Sequence, residues 1–204
     1  LRSRALDPAA VAARDLARAL PPAAAVPSWA RFKGCPWPKA PQGFRVLLPM
    51  YGATGALESV RARALTPTGT GDKTAAAAGA ELRGLVLADE LARGWLAATP
   101  LPAGRTWAGE LARAGLVLAE GEPDFLTWAT HWTDEDDNAP AVVGLVAGSW
   151  TADLADRVPN RCRLTLATHP DKQGDAYAAE VAATLADRMR AGLVTLNRWI
   201  PKEG

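Results

Sequence analysis

Acidic side chains follow two apolar segments of the sequence, at the point where each segment ends. Glu120 comes directly after residues 116–119, and Asp171 comes shortly after residues 163–167. If both segments are parallel strands of one sheet, their carboxyl ends meet at one edge, where sites form in open α/β sheets. Clustered carboxylates repel one another unless a cation lies between them. Mg²⁺ prefers one or two carboxylates together with substrate phosphates. These two acids are therefore candidates for metal ligands.

Asp124 and His169 lie close to these two acids in the sequence. Asp124 falls within the turn after Glu120, and His169 comes two residues before Asp171. The two segments should therefore bring several carboxylates and an imidazole to one sheet edge. A second interpretation stays open on spacing alone, because an acid after a strand can instead cap the following helix. Asp124 suits that structural role well.

The formal net charge of +1 conceals an uneven distribution. Residues 1–75 carry 11 Lys and Arg against 4 Asp and Glu, residues 76–150 carry 4 against 11, and residues 151–204 carry 8 against 7. The first third of the chain therefore has a formal charge of +7, and the middle third has −7. Such asymmetry indicates a polyanionic partner such as a nucleic acid.

The basic third contains a predicted β-hairpin. Strands are expected at residues 44–49 and 56–64, with a glycine-containing turn between them. Arg45, Arg61 and Arg63 project from this hairpin. Solvated strand charges would explain each arginine singly. Together with the +7 charge, however, they favour a surface that contacts phosphates without reading sequence.

Composition excludes several classes of protein. Cys35 and Cys162 are the only cysteines, too few for a zinc site of four thiolates or a disulfide scaffold, and this favours a reducing cytoplasm. No apolar run reaches the roughly 18 residues that a membrane helix requires, and the first residues do not form a signal peptide. Because the sequence does not begin with Met, we expect it to be part of a longer chain.

Two stretches resemble functional loops without meeting their requirements. At residues 70–74 an aspartate stands between the glycine and the lysine of a P-loop-like pattern, so ATP hydrolysis is not expected. Residues 133–137 are rich in acids, and we expect a solvated loop there rather than a metal cluster.

Apolar periodicity and turn residues predict a mixed α/β fold. Helices are expected at residues 7–20, 89–98, 125–132, 151–157 and 174–190, and strands at residues 44–49, 56–64, 116–119, 141–146, 163–167 and 192–196. Because strands alternate with helices after about residue 110, that part should hold a parallel sheet with crossover helices. The proline-rich residues 21–43 should form a loop, anchored by Trp29 and Trp37 unless these rings stack on bases.

The two strand ends also match a known motif. A strand ending in Glu-Gly, here Glu120-Gly121, followed about fifty residues later by Asp-x-Asp-x-x-Gly resembles the TOPRIM domain of bacterial-type primases, topoisomerases and some nucleases. In this chain the second motif runs from His169 through Asp171 to Gly174, so a histidine takes the place of the first aspartate. The resemblance covers about residues 115–198 and implies a Rossmann-like parallel sheet that binds Mg²⁺ or Mn²⁺.

The region before this domain is similar to the basic subdomain of bacterial-type primases. A strand ending in proline, a glycine turn and a strand ending in arginine occur within residues 44–63, and Lys73 lies in the matching lysine-bearing loop. The resemblance thus extends over about residues 28–200. It divides the chain into a helix and proline-rich linker (1–43), a basic α+β subdomain (44–108) and a TOPRIM α/β subdomain (109–204).

A primase-like core implies metal-dependent nucleotidyl transfer. On a single-stranded DNA template, a primer 3′-hydroxyl would attack the α-phosphate of a nucleoside triphosphate, and pyrophosphate would leave. The resemblance assigns catalysis to Glu120, Asp171 and Asp124, metal binding to Glu120, Asp171, His169 and Asp175, and nucleic-acid or nucleotide binding to Arg45, Arg61, Arg63 and Lys73. Further expectations are a helicase or zinc-ribbon module, in the same chain or as a partner, and a phage, plasmid or other mobile element as the source.

Two alternatives to primer synthesis stay open. The same acids could serve a metal-dependent nuclease, with water as the nucleophile. His169 could instead mark a degenerate TOPRIM domain that binds nucleic acid without catalysis, because histidine is a poorer ligand than aspartate for Mg²⁺ and a better one for Mn²⁺. Topoisomerase chemistry is not favoured, because neither Tyr51 nor Tyr177 has surroundings suited to strand cleavage.

Overall fold

The computed structural model describes residues 6–65, 72–132, 136–146 and 148–200. The loops expected at residues 70–74 and 133–137 therefore fall partly outside the described residues. In the part of the chain that is described, no helix is both long and apolar enough to cross a membrane.

The chain alternates helices and strands in its second half, as the sequence predicted. The helices are α1 (Pro8–Ala13), α2 (Glu90–Leu96), α3 (Trp107–Ala114), α4 (Gly121–His131), α5 (Ala152–Arg157) and α6 (Lys172–Arg190). The strands are β1 (Arg18–Ala19), β2 (Arg31–Phe32), β3 (Cys35–Pro36), β4 (Phe44–Tyr51), β5 (Leu57–Ala64), β6 (Thr74–Ala76), β7 (Leu87–Ala88), β8 (Leu116–Glu120), β9 (Ala141–Leu145), β10 (Cys162–Ala167) and β11 (Val194–Trp199). The predicted α/β fold class is confirmed.

Four parallel strands belong to a five-stranded sheet with the order β11-β10-β8-β9-β7. The fifth strand, β7, pairs antiparallel with β9 at one edge. Ala119 of β8 is level with Ala167 of β10, which is level with Trp199 of β11. The predicted parallel sheet is thus confirmed, and the carboxyl ends of β8 and β10 lie side by side.

A smaller antiparallel sheet has the order β1-β4-β5-β6. Strands β4 and β5 form the hairpin that the sequence predicted, with Leu48 opposite Arg61 and Val46 opposite Arg63. Because every second residue of a strand faces the same side, the two arginines share one face of this sheet.

The two sheets are joined by hydrogen bonds and by a common core. Tyr51, at the end of β4, exchanges two backbone hydrogen bonds of 2.8 and 2.9 Å with Val86, just before β7. Leu48 of the hairpin and Phe125 of α4 are both fully buried in one hydrophobic cluster. This packing holds the hairpin against the helix that follows the first candidate acid.

The N-terminal helix is shorter than the sequence predicted. It ends at Ala13, and Asp15 takes a φ of 52° that turns the chain. Leu16 is then buried in the core, and β1 pairs with Val46 and Leu47 of β4. Pairing with the open edge of the hairpin satisfies backbone groups there, which the helical pattern of residues 7–20 could not reveal.

The proline-rich segment contains short elements that the sequence analysis did not predict. Strands β2 and β3 pair with each other, and a 3₁₀ turn covers Trp37–Lys39. Trp37 is 1% exposed and meets Trp29 edge-to-face, with ring centroids 5.6 Å apart. Trp37 therefore anchors the segment in the core, as expected. Helix α3 and strand β6 are further elements that were not predicted.

Side-chain oxygens cap five of the six described helices. Each accepts a hydrogen bond from a backbone N–H in the first turn, at the starts of α1, α2, α3, α5 and α6, and the capping residues are Asp7, Asp89, Thr106, Thr151 and Asp171. Helix α4 has no such cap, although Glu120 stands at the position where one would be. The carboxylate of Glu120 instead accepts a hydrogen bond from the segment after β10.

The carboxylate of Asp89 joins α2 to β9. Its Oδ1 accepts a hydrogen bond from the Ala92 N–H (2.8 Å), and its Oδ2 accepts one from the Val142 N–H (3.0 Å). Burial raises the pKa of Asp89 from 3.8 to about 7, against the lowering effect of these hydrogen bonds and of Arg93 and Arg14.

We expect Asp89→Asn to reduce the pH dependence of stability. The folded chain holds the Asp89 proton more tightly than the unfolded chain, so between about pH 4 and about pH 7 the wild type loses stability as the pH rises. Asparagine does not titrate and still caps a helix. As the pH rises from about 4 to about 7, the melting temperature of wild type should therefore fall and that of the variant should not. The difference between the two should change in the variant's favour by the equivalent of at most about 4 kcal/mol. Parallel melting curves across the range would contradict the prediction.

Candidate functional site

Glu120 ends β8, and its carboxylate turns toward the neighbouring strand β10. Gly121 has a φ of 76°, a left-handed conformation that lets α4 begin immediately after the strand. The Oε2 atom of Glu120 accepts a hydrogen bond of 3.0 Å from the backbone N–H of His169. The two segments that the sequence analysis paired are therefore in direct contact.

Gly174 lies between the two strongest candidate acids. Asp171 caps α6, and its Oδ1 accepts a hydrogen bond of 2.8 Å from the Gly174 N–H. A Cβ atom at Gly174 would lie 2.1 Å from the carbonyl oxygen of His169 and 3.0 Å from Oε2 of Glu120. Glu120 and Asp171 therefore both contact the same turn, at a point with no room for a side chain.

The side chains of His169 and Asp124 lie close together. The Nε2 atom of His169 lies 2.8 Å from Oδ2 of Asp124, and the side chains are 47% and 27% exposed. Asp124 belongs to the first turn of α4, so this contact links that helix to the segment after β10.

Asp175 contacts β11, the strand that lies on the opposite side of β10 from β8. Its Oδ1 accepts a hydrogen bond of 2.6 Å from Nη1 of Arg198, near the end of β11. Arg198 also donates to Thr168 Oγ1 (2.9 Å) and to the His169 carbonyl (2.8 Å). The sequence analysis did not single out Arg198, whose role depends on β11 lying beside β10.

Glu120 and Asp171 are the two acids that could hold a divalent cation together with a substrate. One oxygen of each carboxylate accepts a backbone N–H, whereas within the described residues Oε1 of Glu120 and Oδ2 of Asp171 have no hydrogen-bond partner. Two such oxygens, completed by phosphate oxygens and water, suit Mg²⁺. No three His, Cys, Asp or Glu side chains in the described ranges converge to form a complete metal site. The larger ligand set expected from the sequence, which adds His169 and Asp175, stays a prediction.

Gly174→Ala is expected to lower the melting temperature and weaken divalent-metal binding. The added Cβ forces the turn at residues 169–174 away from Glu120, and overpacking of this kind costs about 1–3 kcal/mol. Thermal unfolding and Mn²⁺ titration measure the two effects. Gly109→Ala is a matched control, because its Cβ would come no closer than 3.3 Å to Thr106 Oγ1, outside the site. Wild-type stability and metal affinity in Gly174→Ala would contradict this prediction.

Glu122 is a buried acid that the sequence analysis missed. It is 5% exposed and accepts hydrogen bonds from Nε of Arg61 and, at 2.9 Å, from Nη1 of Arg63. Arg61 also donates from Nη2 to Thr74 Oγ1 (2.9 Å). One carboxylate thus faces two guanidinium groups, so the cluster keeps a net positive charge. Two of the four predicted nucleic-acid contacts are therefore held by an acid two residues after Glu120.

Tyr177 shows how close this cluster lies to the candidate acids. Burial raises the pKa of Tyr177, against the lowering effect of a hydrogen bond with Gln173. The Glu120 carboxylate also raises this pKa, and Arg61 lowers it. Tyr177 therefore lies within electrostatic range of both Glu120 and Arg61.

Arg45 and Lys73 lie apart from the acids. Nε of Arg45 donates a hydrogen bond of 2.9 Å to the Leu20 carbonyl. Lys73 is exposed, and its carbonyl accepts a hydrogen bond of 2.9 Å from Ala64. In the described part of the chain, neither side chain contacts Glu120 or Asp171. Of the four predicted nucleic-acid contacts, only Arg61 and Arg63 are brought beside the candidate metal site.

Neither a protein-family model nor a curated protein matches the sequence. Two solved structures have a similar fold. One is the DnaG catalytic core, with 18% identity and a TM-score of 0.59, and the match covers 100% of this chain and 64% of that one. The other is the Aquifex aeolicus primase structure of the zinc-binding and RNA polymerase domains, with 14% identity, a TM-score of 0.58, and coverage of 100% and 49%.

The chain spans less than two thirds of the length of either structure. At these identities the likeness concerns the fold. The mixed α/β architecture with its parallel sheet is the architecture that the primase resemblance in the sequence implied. This chain therefore has a fold similar to that of DnaG primase catalytic cores.

Proposed function

We propose that this chain is the catalytic core of a primase-like nucleotidyltransferase that makes short primers on single-stranded DNA. The observation that carries the proposal is the meeting of Glu120 and Asp171 at the backbone of Gly174, at the carboxyl end of the parallel sheet. The similarity of the whole chain's fold to primase cores also supports the proposal.

Glu120 and Asp171 would hold the divalent cation, Mg²⁺ or Mn²⁺. When bound, such a cation supplies positive charge that orients phosphates and neutralises charge developing in the transition state. The protein's own contribution is positional. Backbone N–H groups of His169 and Gly174 fix one oxygen of each acid, which leaves the other oxygen available. Preorganised groups of this kind need no rearrangement during the reaction.

Arg61 and Arg63 would contact phosphates near the cation. They carry two positive charges against the single charge of Glu122, and their side chains are 18% and 22% exposed. Partial burial strengthens the attraction of the remaining positive charge for a triphosphate, because solvent screens it less. Arg45 and Lys73 would hold the template farther away, through contacts that do not depend on sequence.

The decisive experiment is a primer-synthesis assay. The chain is incubated with a single-stranded template, the four ribonucleoside triphosphates and either Mg²⁺ or Mn²⁺, and the products are separated by size. New oligonucleotides are expected. Shortened template without new oligonucleotides would favour a nuclease, and salt-sensitive DNA binding without either reaction would favour a binding module. The partners expected from the sequence, a helicase and a zinc-ribbon module, stay predictions.

A further inference from the structure

In the described part of the chain, one side of strands β10 and β11 is not covered by a helix. Helix α6 packs against β11 from one side of the parallel sheet, whereas α4, on the other side, packs against β8 and β9. Ala167 of β10 is buried on the α4 side, in the cluster that contains Phe125. Because side chains alternate along a strand, every second residue before Ala167 shares that side, together with the residues level with them on β11. The row consists of Arg163, Thr165, Thr195, Asn197 and Trp199, and we call it the open sheet face.

The open sheet face is polar and carries no acid. Arg163, Thr195 and Asn197 are exposed, and Thr165 is half-buried. Within the described residues, the side chains of the two threonines and of Asn197 have no hydrogen-bond partner. Arg163 donates a hydrogen bond of 2.6 Å from Nη2 to the Arg113 carbonyl and, among those same residues, pairs with no carboxylate. The face therefore offers one positive charge and three unused polar side chains to a partner.

Trp199 adds a large aromatic surface at one end of this row. It is 45% exposed. Its ring meets that of Trp128 in α4 edge-to-face, with the centroids 5.3 Å apart and an angle of 88° between the planes. Whichever ring contributes its edge, at least one face of the Trp199 indole stays out of this contact. Trp128 therefore holds the ring in place without covering it, and such an indole suits a flat, apolar partner that stacks on it.

The open sheet face begins beside the candidate acids. Trp199 is level with Ala167 and, one strand further, with Ala119, which directly precedes Glu120. At about 4.8 Å between neighbouring strands, Trp199 lies about 10 Å from the end of β8. From there the face runs along the strands to Arg163, over about 13 Å. The basic hairpin adjoins β7, at the opposite edge of the same sheet, so the two surfaces are separate.

We propose that the open sheet face binds single-stranded nucleic acid, with one unpaired base stacked on Trp199. Arg163 contacts a phosphate of the strand, and the polar side chains between these two residues bind its backbone or base edges. An apolar protein surface would leave those polar side chains without hydrogen bonds, whereas a nucleic acid strand combines flat, apolar bases with a charged, hydrogen-bonding backbone. The choice of a nucleic acid rests in part on the proposed function, whereas the contacts themselves need neither the cation nor catalysis.

Trp199→Ala tests the stacking contact. A short fluorescein-labelled oligothymidine is titrated with the whole chain in EDTA at low salt, so that no cation and no reaction contribute. The variant should bind about tenfold more weakly than wild type, the loss expected from one stacked base, whereas Trp199→Phe should keep most of the affinity. Trp29→Ala is the matched control, because Trp29 is 40% exposed and also packs edge-to-face on another indole. Wild-type affinity in Trp199→Ala, or an equal loss in Trp29→Ala, would overturn the inference.

Trp199→Leu keeps the test valid if the alanine variant fails to fold. Leucine retains an apolar contact with Trp128 but cannot stack on a base, so the same loss of about tenfold is expected. A blunt duplex, whose bases already stack on one another, should bind wild type and this variant equally. Wild-type affinity for the single strand in Trp199→Leu, or an equal loss for the duplex, would overturn the proposal. Wild-type dimers that dissociate in the variant would assign the face to a second copy of the chain and would also overturn it.

Arg163→Gln tests the phosphate contact through its dependence on salt. Loss of one phosphate contact should make the plot of log affinity against log salt concentration less steep by about 0.7. Arg190→Gln is the control, because Arg190 is exposed at the end of α6, on the other side of the sheet, and should leave the slope unchanged. A wild-type slope in Arg163→Gln, or no binding of the strand by wild type, would contradict the proposal.

The outcomes for binding and for synthesis are separable. Failure of primer synthesis together with binding that depends on Trp199 would contradict the proposed function alone. Primer synthesis by a wild type whose affinity for the strand does not depend on Trp199 would contradict the open sheet face alone.

Discussion

Glu120→Gln is expected to abolish measurable primer synthesis while DNA binding is retained. Glutamine keeps an oxygen that can accept the His169 N–H, so the contact between the end of β8 and the turn after β10 should be preserved. The negative charge that would hold the cation is lost. We expect a decrease on the order of 100-fold to 1,000-fold in the rate of synthesis, the loss that follows when one preorganised electrostatic contact is removed. The assay with a single-stranded template and Mg²⁺ measures it.

The control for this variant is Glu180→Gln on the exposed side of α6. It removes the same charge from the same protein, outside the candidate site, and should leave synthesis unchanged. DNA binding at low salt should be equal in wild type and both variants, because the basic hairpin is untouched. Undiminished synthesis in Glu120→Gln would show that Glu120 does not bind the catalytic cation, and the site would have to be reassigned.

The candidate acids could be found from the sequence because an α/β sheet marks its strand ends plainly. A run of apolar residues that ends in Glu120 or shortly before Asp171 predicts a buried strand followed by a polar turn, and parallel pairing then brings the ends together. The structure places the two strands side by side, as expected. This part of the site depends only on local patterns and on one rule of topology.

The partners of the acids could not be predicted in the same way, because they depend on helix phase. Residues two apart on an α-helix point about 200° from each other. Glu122 therefore faces the hairpin, whereas Asp124 faces His169. The sequence analysis expected this helix to begin at residue 125, whereas it begins at Gly121. Because the predicted helix began too late, the sequence analysis could not assign Glu120, Glu122 and Asp124 to different sides of it.

The partner of the hairpin arginines Arg61 and Arg63 is a second feature that the sequence could not predict. Their alternation along β5 places Arg61 and Arg63 on one face, whereas the sequence analysis expected only that they project from the hairpin. What lies opposite that face is set by the packing of the small sheet against α4, which joins residues about 60 positions apart. Charge counting predicted a phosphate-binding surface, and it could not show that a buried carboxylate already holds two of the charges.

Glu122→Ala is therefore expected to have the largest effect on stability. The substitution leaves Arg61 and Arg63, both less than a quarter exposed, without their carboxylate. Breaking a buried ion pair by removing one partner costs about 3–5 kcal/mol, because an uncompensated charge stays in a medium of low dielectric constant. For a chain of this size, the melting temperature should fall by roughly 10 °C, and thermal unfolding at neutral pH measures it.

Glu110→Ala is the matched control. Glu110 also accepts hydrogen bonds from two arginines, Arg105 and Arg113, but these side chains are 51% and 45% exposed. Because solvent screens exposed pairs, we expect a loss of at most about 1 kcal/mol. If the two alanine variants lose equal stability, burial of the Glu122 cluster is not what makes it strong.

A third variant separates stability from function in the same cluster. Replacing Arg61, Arg63 and Glu122 together by methionine removes all three charges, and hydrophobic replacement of a buried charged cluster is often neutral or stabilising. The triple variant should therefore melt well above Glu122→Ala. If the arginines contact phosphates, the triple variant should bind nucleoside triphosphates much more weakly than wild type, even though its stability is restored. A triple variant as unstable as Glu122→Ala would show that the cluster is needed for packing, whereas wild-type nucleotide binding would show that Arg61 and Arg63 serve Glu122 alone.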